Sequence, residues 1–179
     1  MSDRAGQASA LTTLIPIVAE REDELRGYLR GLPRGAESPL ARLERTHVAR
    51  WVVIDRLPSD PPNPDRLDGG HLLLFTTSID GETGSYLREL CRELPAEAER
   101  IWSCCVGFPG VGDEAAFARW ILDHHLKTSF FVAAYANATV GDVRNSLAAR
   151  EQLLRFVLAS ADMEPEARLA GFRSQFPSG

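Results

Sequence analysis

Two stretches, LRGYLRGLP (25 to 33) and LRELCRELP (87 to 95), carry Leu, Arg, Arg, Leu and Pro at equivalent positions. In the first, Leu25, Tyr28, Leu29 and Leu32 recur at i, i+3, i+4 and i+7; in the second, Leu87, Leu90, Cys91 and Leu94 do the same. That is the stripe of an amphipathic helix, and in the first copy Pro33 stops it. Strand-like runs flank each helix: LTTLIPIVA (11 to 19) and THVARWVVID (46 to 55) around the first, HLLLFTTSID (71 to 80) and IWSCCVGF (101 to 108) around the second. Two copies of β-α-β in tandem predict an antiparallel four-stranded sheet with both helices on one face.

Beyond residue 108, FPGVGDE reads as a glycine-rich turn, and AAFARWILDHH as a helix with Phe117, Trp120, Ile121 and His124 on one face. SFFVAAYAN (129 to 137) has the composition of a fifth strand. TVGDVRNSLAAREQLLRFVL follows as a helix, with Thr139 and Asp142 at capping-box spacing and Val143, Leu147, Leu154 and Leu158 as its stripe. The expected organisation is a disordered segment 1–10, one α+β domain over 11–160 and a weakly ordered tail over 161–179. The domain has a ferredoxin-like β-α-β-β-α-β core and a C-terminal α-β-α extension. Residues 56–70, rich in Pro, Asp and Gly, read as a long hairpin loop whose length would permit a lid.

At 179 residues, 44% hydrophobic and 25% charged, the chain is in the ordinary globular class and long enough to bury a core. A net charge of -5 and the absence of any Lys/Arg cluster exclude a nucleic-acid footprint. The single lysine, Lys127, leaves arginine as the main cation and points to high-GC bacterial codon usage. The polar start MSDRAGQAS and the short apolar run after it suit neither a secretory leader nor a membrane span, so the expected location is the cytoplasm. Cys91, Cys104 and Cys105 lack metal or redox spacing and read as buried apolar residues. With four histidines and scattered cysteines, no metal site is expected.

The strand and helix order over residues 11–108 resembles the dimeric α+β barrel superfamily, whose ferredoxin-like units pair through their open sheet faces. That group contains small cofactor-free monooxygenases, chlorite dismutases and dye-decolorising peroxidases. TSIDG (77 to 81) is similar to the G-x-x-D-G motif of those peroxidases, with Thr77 in place of the first glycine. The resemblance implies a homodimer, a site on the open sheet face, a peroxide-handling role for Asp80, and either haem or no cofactor.

Polar residues that interrupt the apolar strands are the candidates within such a site. Regular alternation puts His47, Ala49, Trp51, Val53 and Asp55 on one face of their strand and Val48, Arg50, Val52 and Ile54 on the other. His47, Trp51 and Asp55 then face the pocket, and Arg50 joins them only through a bulge. His71 is expected near Asp55, as a general base or a salt-bridge partner. Trp102 is expected to line the pocket. His124, on the apolar face of its helix, is where a haem ligand would stand.

The functional expectation is an oxidoreductase-like enzyme, of monooxygenase or peroxidase type, acting on a small apolar or aromatic molecule. His47, Arg50 and Asp80 would be its catalytic residues; Trp51, Trp102, Asp55 and His71 would bind substrate. The alternative is a non-catalytic binding or assembly protein of the same fold, with structural histidines.

Overall fold

In a computed structural model, which describes residues 3–55 and 70–176, the chain is α+β. Its elements are β1 (Arg4–Ala5), β2 (Ala8–Pro16), α1 (Glu22–Gly31), β3 (Thr46–Ile54), β4 (Leu72–Asp80), α2 (Thr83–Glu93), α3 (Pro95–Trp102), α4 (Glu114–Asp123), α5 (Val140–Ala159) and α6 (Pro165–Gln175). The strands form one antiparallel sheet in the order β1-β2-β4-β3.

Alternation along β2 and β4 sets the layers. Leu11, Ile15, Leu73, Phe75 and Ile79 point to one face and are at most 1% exposed. They form a single core with Leu25 of α1, Leu87, Leu90 and Cys91 of α2, Ile101 and Trp102 of α3, and Phe117 and Ile121 of α4. Both repeated helices bury the leucine stripe that the sequence pattern assigns to them. Each acquires a favourable start: Glu22, Asp23 and Glu24 occupy the first turn of α1, and Glu82 accepts the Gly84 and Ser85 N–H groups at the head of α2.

The expected fourth strand, IWSCCVGF (101 to 108), does not form. Pro95 does not simply end the helix before it; it opens α3 at a position where proline is welcome. Ala98, Ile101 and Trp102 then fall at helical spacing and are buried, so Ile101 and Trp102 close a helix. The outer edge of β2 is shared instead by three short segments. Ala8 pairs with Ala5 of β1, and Ala10 N–H donates to Asp3 O at 2.7 Å. Leu126 N–H donates to Thr12 O at 2.8 Å, and Leu14 N–H to His124 O at 3.2 Å. Val106 N–H donates to Pro16 O at 2.9 Å, and Val18 N–H to Cys104 O at 2.8 Å. This patchwork satisfies the edge that one continuous strand would otherwise cover. Asp3 and residues 4–5 and 8–10 thus belong to the sheet, inside a stretch that the sequence pattern leaves disordered.

SFFVAAYAN is not a strand either. Its β-prone side chains find no ladder, and Phe130, Val132 and Tyr135 stand exposed. The expected helix over AAFARWILDHH is α4, capped by Asp113, whose carboxylate accepts the Ala115 and Ala116 N–H groups at 2.9 and 3.0 Å.

Two compact units divide the chain, one ending at Val140 and one beginning at Gly141. In the second, Phe156, Phe172 and Phe176 cluster with ring centroids 5.0 to 5.9 Å apart. Arg168 of α6 donates to the carbonyls of Ser160, Ala161 and Met163 just after α5. The tail after residue 160 therefore holds a helix. Among the described residues, no helix is long and apolar enough to cross a membrane.

Candidate functional site

Position in β3 is governed by a β-bulge between Thr46 and Val48. Thr46 pairs with Ile79 and hydrogen-bonds Tyr86 Oη at 3.0 Å, on the core side; Val48 pairs with Ser78, on the opposite side. The extra residue, His47, reverses the parity that regular counting predicts. Ala49, Trp51 and Val53 therefore pack on the core, whereas Val48, Arg50 and Val52 lie on the sheet's other face.

This corrects two substrate-binding assignments. Trp51 stacks on Phe75 at 5.4 Å, and Trp102, 1% exposed, meets Phe75 edge-on at 5.5 Å and Phe117 at 5.3 Å. Trp102 is a core residue, where a large indole gains most because apolar surface closes around it, and Trp51 is partly buried against the same core. Asp55 and His71 do come together, at the far end of the sheet: His71 Nε2 lies 3.4 Å from Asp55 Oδ1, and its Nδ1 lies 3.6 Å from Glu22 Oε1. Arg26 also pairs with Asp55. This ion cluster does not line the cavity described next.

The face opposite the helices holds a cavity of about 390 Å³. The register arranges its floor in rows across the strands. Thr12, Thr76 and Arg50 stand side by side on β2, β4 and β3; the next row is Ala10, Ser78 and Val48. Phe131 completes the lining from the segment that leaves the β2 edge at Leu126 and reaches Gln7 through the Ala136 carbonyl. Arg50 Nε donates to Thr76 Oγ1 at 3.1 Å. Beyond the Ser78 row, Asp80 Oδ1 takes a 2.7 Å hydrogen bond with His47 Nε2, and Asp80 Oδ2 accepts the Val140 N–H at 2.7 Å, at the start of α5. The three residues expected to be catalytic thus occupy one face. Thr76 and Asp80 are four positions apart on β4, which spaces the Arg50 and His47 ends by roughly 13 Å.

Asp80 is held in place by the turn that follows it. Gly81 has φ +80°, a conformation glycine adopts freely, and a Cβ there would meet Arg45 Nη2 at 2.9 Å. Arg45 Nε in turn donates to the Asp80 carbonyl at 2.8 Å. The glycine of TSIDG is thereby explained by backbone geometry.

His124, the expected haem ligand, does not line the sheet-face cavity. It closes α4, its Nδ1 is 2.8 Å from the Trp120 carbonyl, and its ring packs against Trp120. Both Asp80 carboxylate oxygens are engaged, one by His47 and one by the Val140 N–H. Among the described residues, no three His, Cys, Asp or Glu side chains come close enough to hold a metal ion. Burial raises the thiol pKa of Cys91 and Cys104, and pushes Cys105 to about 12, so none is poised as a nucleophile. The possible lid, residues 56–70, lies outside the described residues except for Gly70.

Thr12, Thr76 and Ser78 escape a reading that looks only for charged and aromatic interruptions, and Phe131 escapes it because it sits in an unbroken apolar run. The signal was present in the threonine pairs of LTTLIPI and LLLFTT, one member of each pair facing the cavity. Compared with protein-family models, with curated proteins and with solved structures, the chain matches none.

Proposed function

We propose that this protein binds a small, largely apolar molecule in the cavity on the open face of its sheet. The reading rests on one observation: about 390 Å³ of concave space, apolar in most of its lining, with hydroxyls and one guanidinium set on rigid strands. Sites of that size and make-up are typical of small-molecule pockets. The uncharged probe N-phenyl-1-naphthylamine, whose fluorescence rises in apolar surroundings, tests it. Wild type should bind it saturably, and Ser78→Trp, which fills the middle of the floor, should lower affinity at least tenfold with the fold intact by circular dichroism. Equal binding by both proteins would refute the proposal.

A second reading, an oxidoreductase of monooxygenase or peroxidase type using the same cavity, draws on the His47–Asp80 hydrogen bond. There His47 would move the proton and Asp80 would orient its ring. This reading requires loss of turnover in His47→Ala with probe affinity retained. Both readings include a homodimer of the barrel-forming kind, suggested by Phe130, Val132 and Tyr135, which are 84%, 70% and 78% exposed.

A further inference from the structure

We infer that the ligand of the sheet-face cavity carries one anionic group, which Arg50 and the two threonine hydroxyls of its row receive. The inference rests on the cavity reading above and names the ligand class.

The argument begins with charge. Acidic residues outnumber basic ones by 25 to 20, and several arginines pair with carboxylates: Arg26 with Asp55, Arg42 with Glu97, and Arg45 with Glu89. Among the described residues no carboxylate forms an ion pair with Arg50; its hydrogen-bond partner is the neutral Thr76 hydroxyl. That bond engages Nε alone. The Nη1 and Nη2 groups remain as donors, in the fork that suits a two-oxygen anion. Thr76 Oγ1 acts as acceptor toward Arg50, so its own hydroxyl hydrogen is available to a ligand. Thr12, directly across in register, adds a second hydroxyl one strand away.

A row of donors without a fixed negative charge is complementary to an anion and a poor match for a cation. The neighbouring rows orient the rest of the molecule. On one side, Leu14, Leu74 and Val52 are apolar but do not line the cavity. On the other side, Ala10, Val48, Ser78 and Phe131 do. The apolar body therefore extends from Arg50 toward Phe131 and the His47 end.

A matched pair of probes separates this inference from the one beneath it: 1-anilinonaphthalene-8-sulfonate, an anion, and N-phenyl-1-naphthylamine, which has the same rings without the charge. Wild type should bind the sulfonate roughly ten- to a hundredfold more tightly, the range expected for hydrogen bonds to a charged group. Arg50→Ala should abolish the preference, lowering sulfonate affinity at least about tenfold more than that of the neutral probe; Arg50→Lys should restore part of it, because charge survives and the fork does not. Thr76→Val, which frees Arg50 Nε, should weaken sulfonate binding more than binding of the neutral probe. Saturable binding of both probes with no preference, unchanged in Arg50→Ala, overturns the anion inference and leaves the cavity reading standing. Failure of the neutral probe to bind wild type overturns the cavity reading and this inference with it. A sulfonate preference that persists in both Arg50→Ala and Ser78→Trp places the anion elsewhere and also overturns it.

Discussion

Replacing Trp102 by alanine separates a core indole from a pocket indole. The side chain is 1% exposed and touches Phe75, Trp51 and Phe117 at ring separations of 5.3 to 6.2 Å. Truncating so large a buried ring costs about 3–5 kcal/mol through lost transfer energy and the void left behind. The aromatic contacts place the value toward the upper end, since each such pair contributes about 0.5–1.5 kcal/mol beyond area. Trp102→Phe should cost much less. It keeps most of the contacts, and Trp102 Nε1, which has no protein partner among the described residues, is an unmet donor whose removal recovers part of about 1–3 kcal/mol. Urea unfolding followed by far-ultraviolet circular dichroism gives both numbers. The alanine variant should lose at least about 3 kcal/mol, and the phenylalanine variant should retain probe affinity at wild-type strength. An alanine variant within about 1 kcal/mol of wild type, or a phenylalanine variant with wild-type stability and lost probe binding, would refute the placement of Trp102 in the core.

Other consequences are equally direct. Backbone N–H groups at the head of α2, that of Ser85 first, hold the Glu82 carboxyl below its usual range, against an opposing desolvation penalty. Its folded-state pKa is depressed, so its stabilisation is complete above the ordinary carboxylate value and disappears as pH falls through the folded one. The stability gap between wild type and Glu82→Gln, about 0.5–1 kcal/mol at pH 7, should therefore close toward pH 3; a gap that widens on acidification would contradict the cap. With Cys105 at about 12 and the other two thiols also raised, a disulfide reagent at pH 8 should modify the cysteines only at the rate of unfolding, and rapid modification of native protein would contradict their burial. Light scattering should give a native mass of twice the 19.7 kDa chain, and a monomer at micromolar concentration would remove the dimer from the proposal.

Much of the fold is legible because its determinants are local. The stripes Leu25–Leu32 and Leu87–Leu94 mark α1 and α2, and the runs at 46–55 and 71–80 mark β3 and β4 within a residue or so. The fourth strand is misread because IWSCCVGF looks β-prone alone, while the PAEAER preceding it carries the helix through Trp102. Two of the segments that finish the edge of β2, 104–106 and 124–126, lie far from it in sequence, and no local pattern encodes so distant a pairing. His47, Arg50 and Asp80 stand out in the sequence by their polarity, but the face of Trp51 depends on one inserted residue. A single bulge at His47 reverses the face taken by each β3 side chain that follows it.

The most direct test of the sheet-face cavity is a methyl-resolved NMR titration with N-phenyl-1-naphthylamine, following the methyls of Ala10, Thr12, Val48 and Thr76 alongside those of Leu147 and Leu158 on α5. Binding in the cavity predicts saturable shifts at the four sheet residues, with α5 unmoved. Shifts confined to Leu147 and Leu158, which are 57% and 77% exposed, with the sheet methyls unchanged, would contradict it.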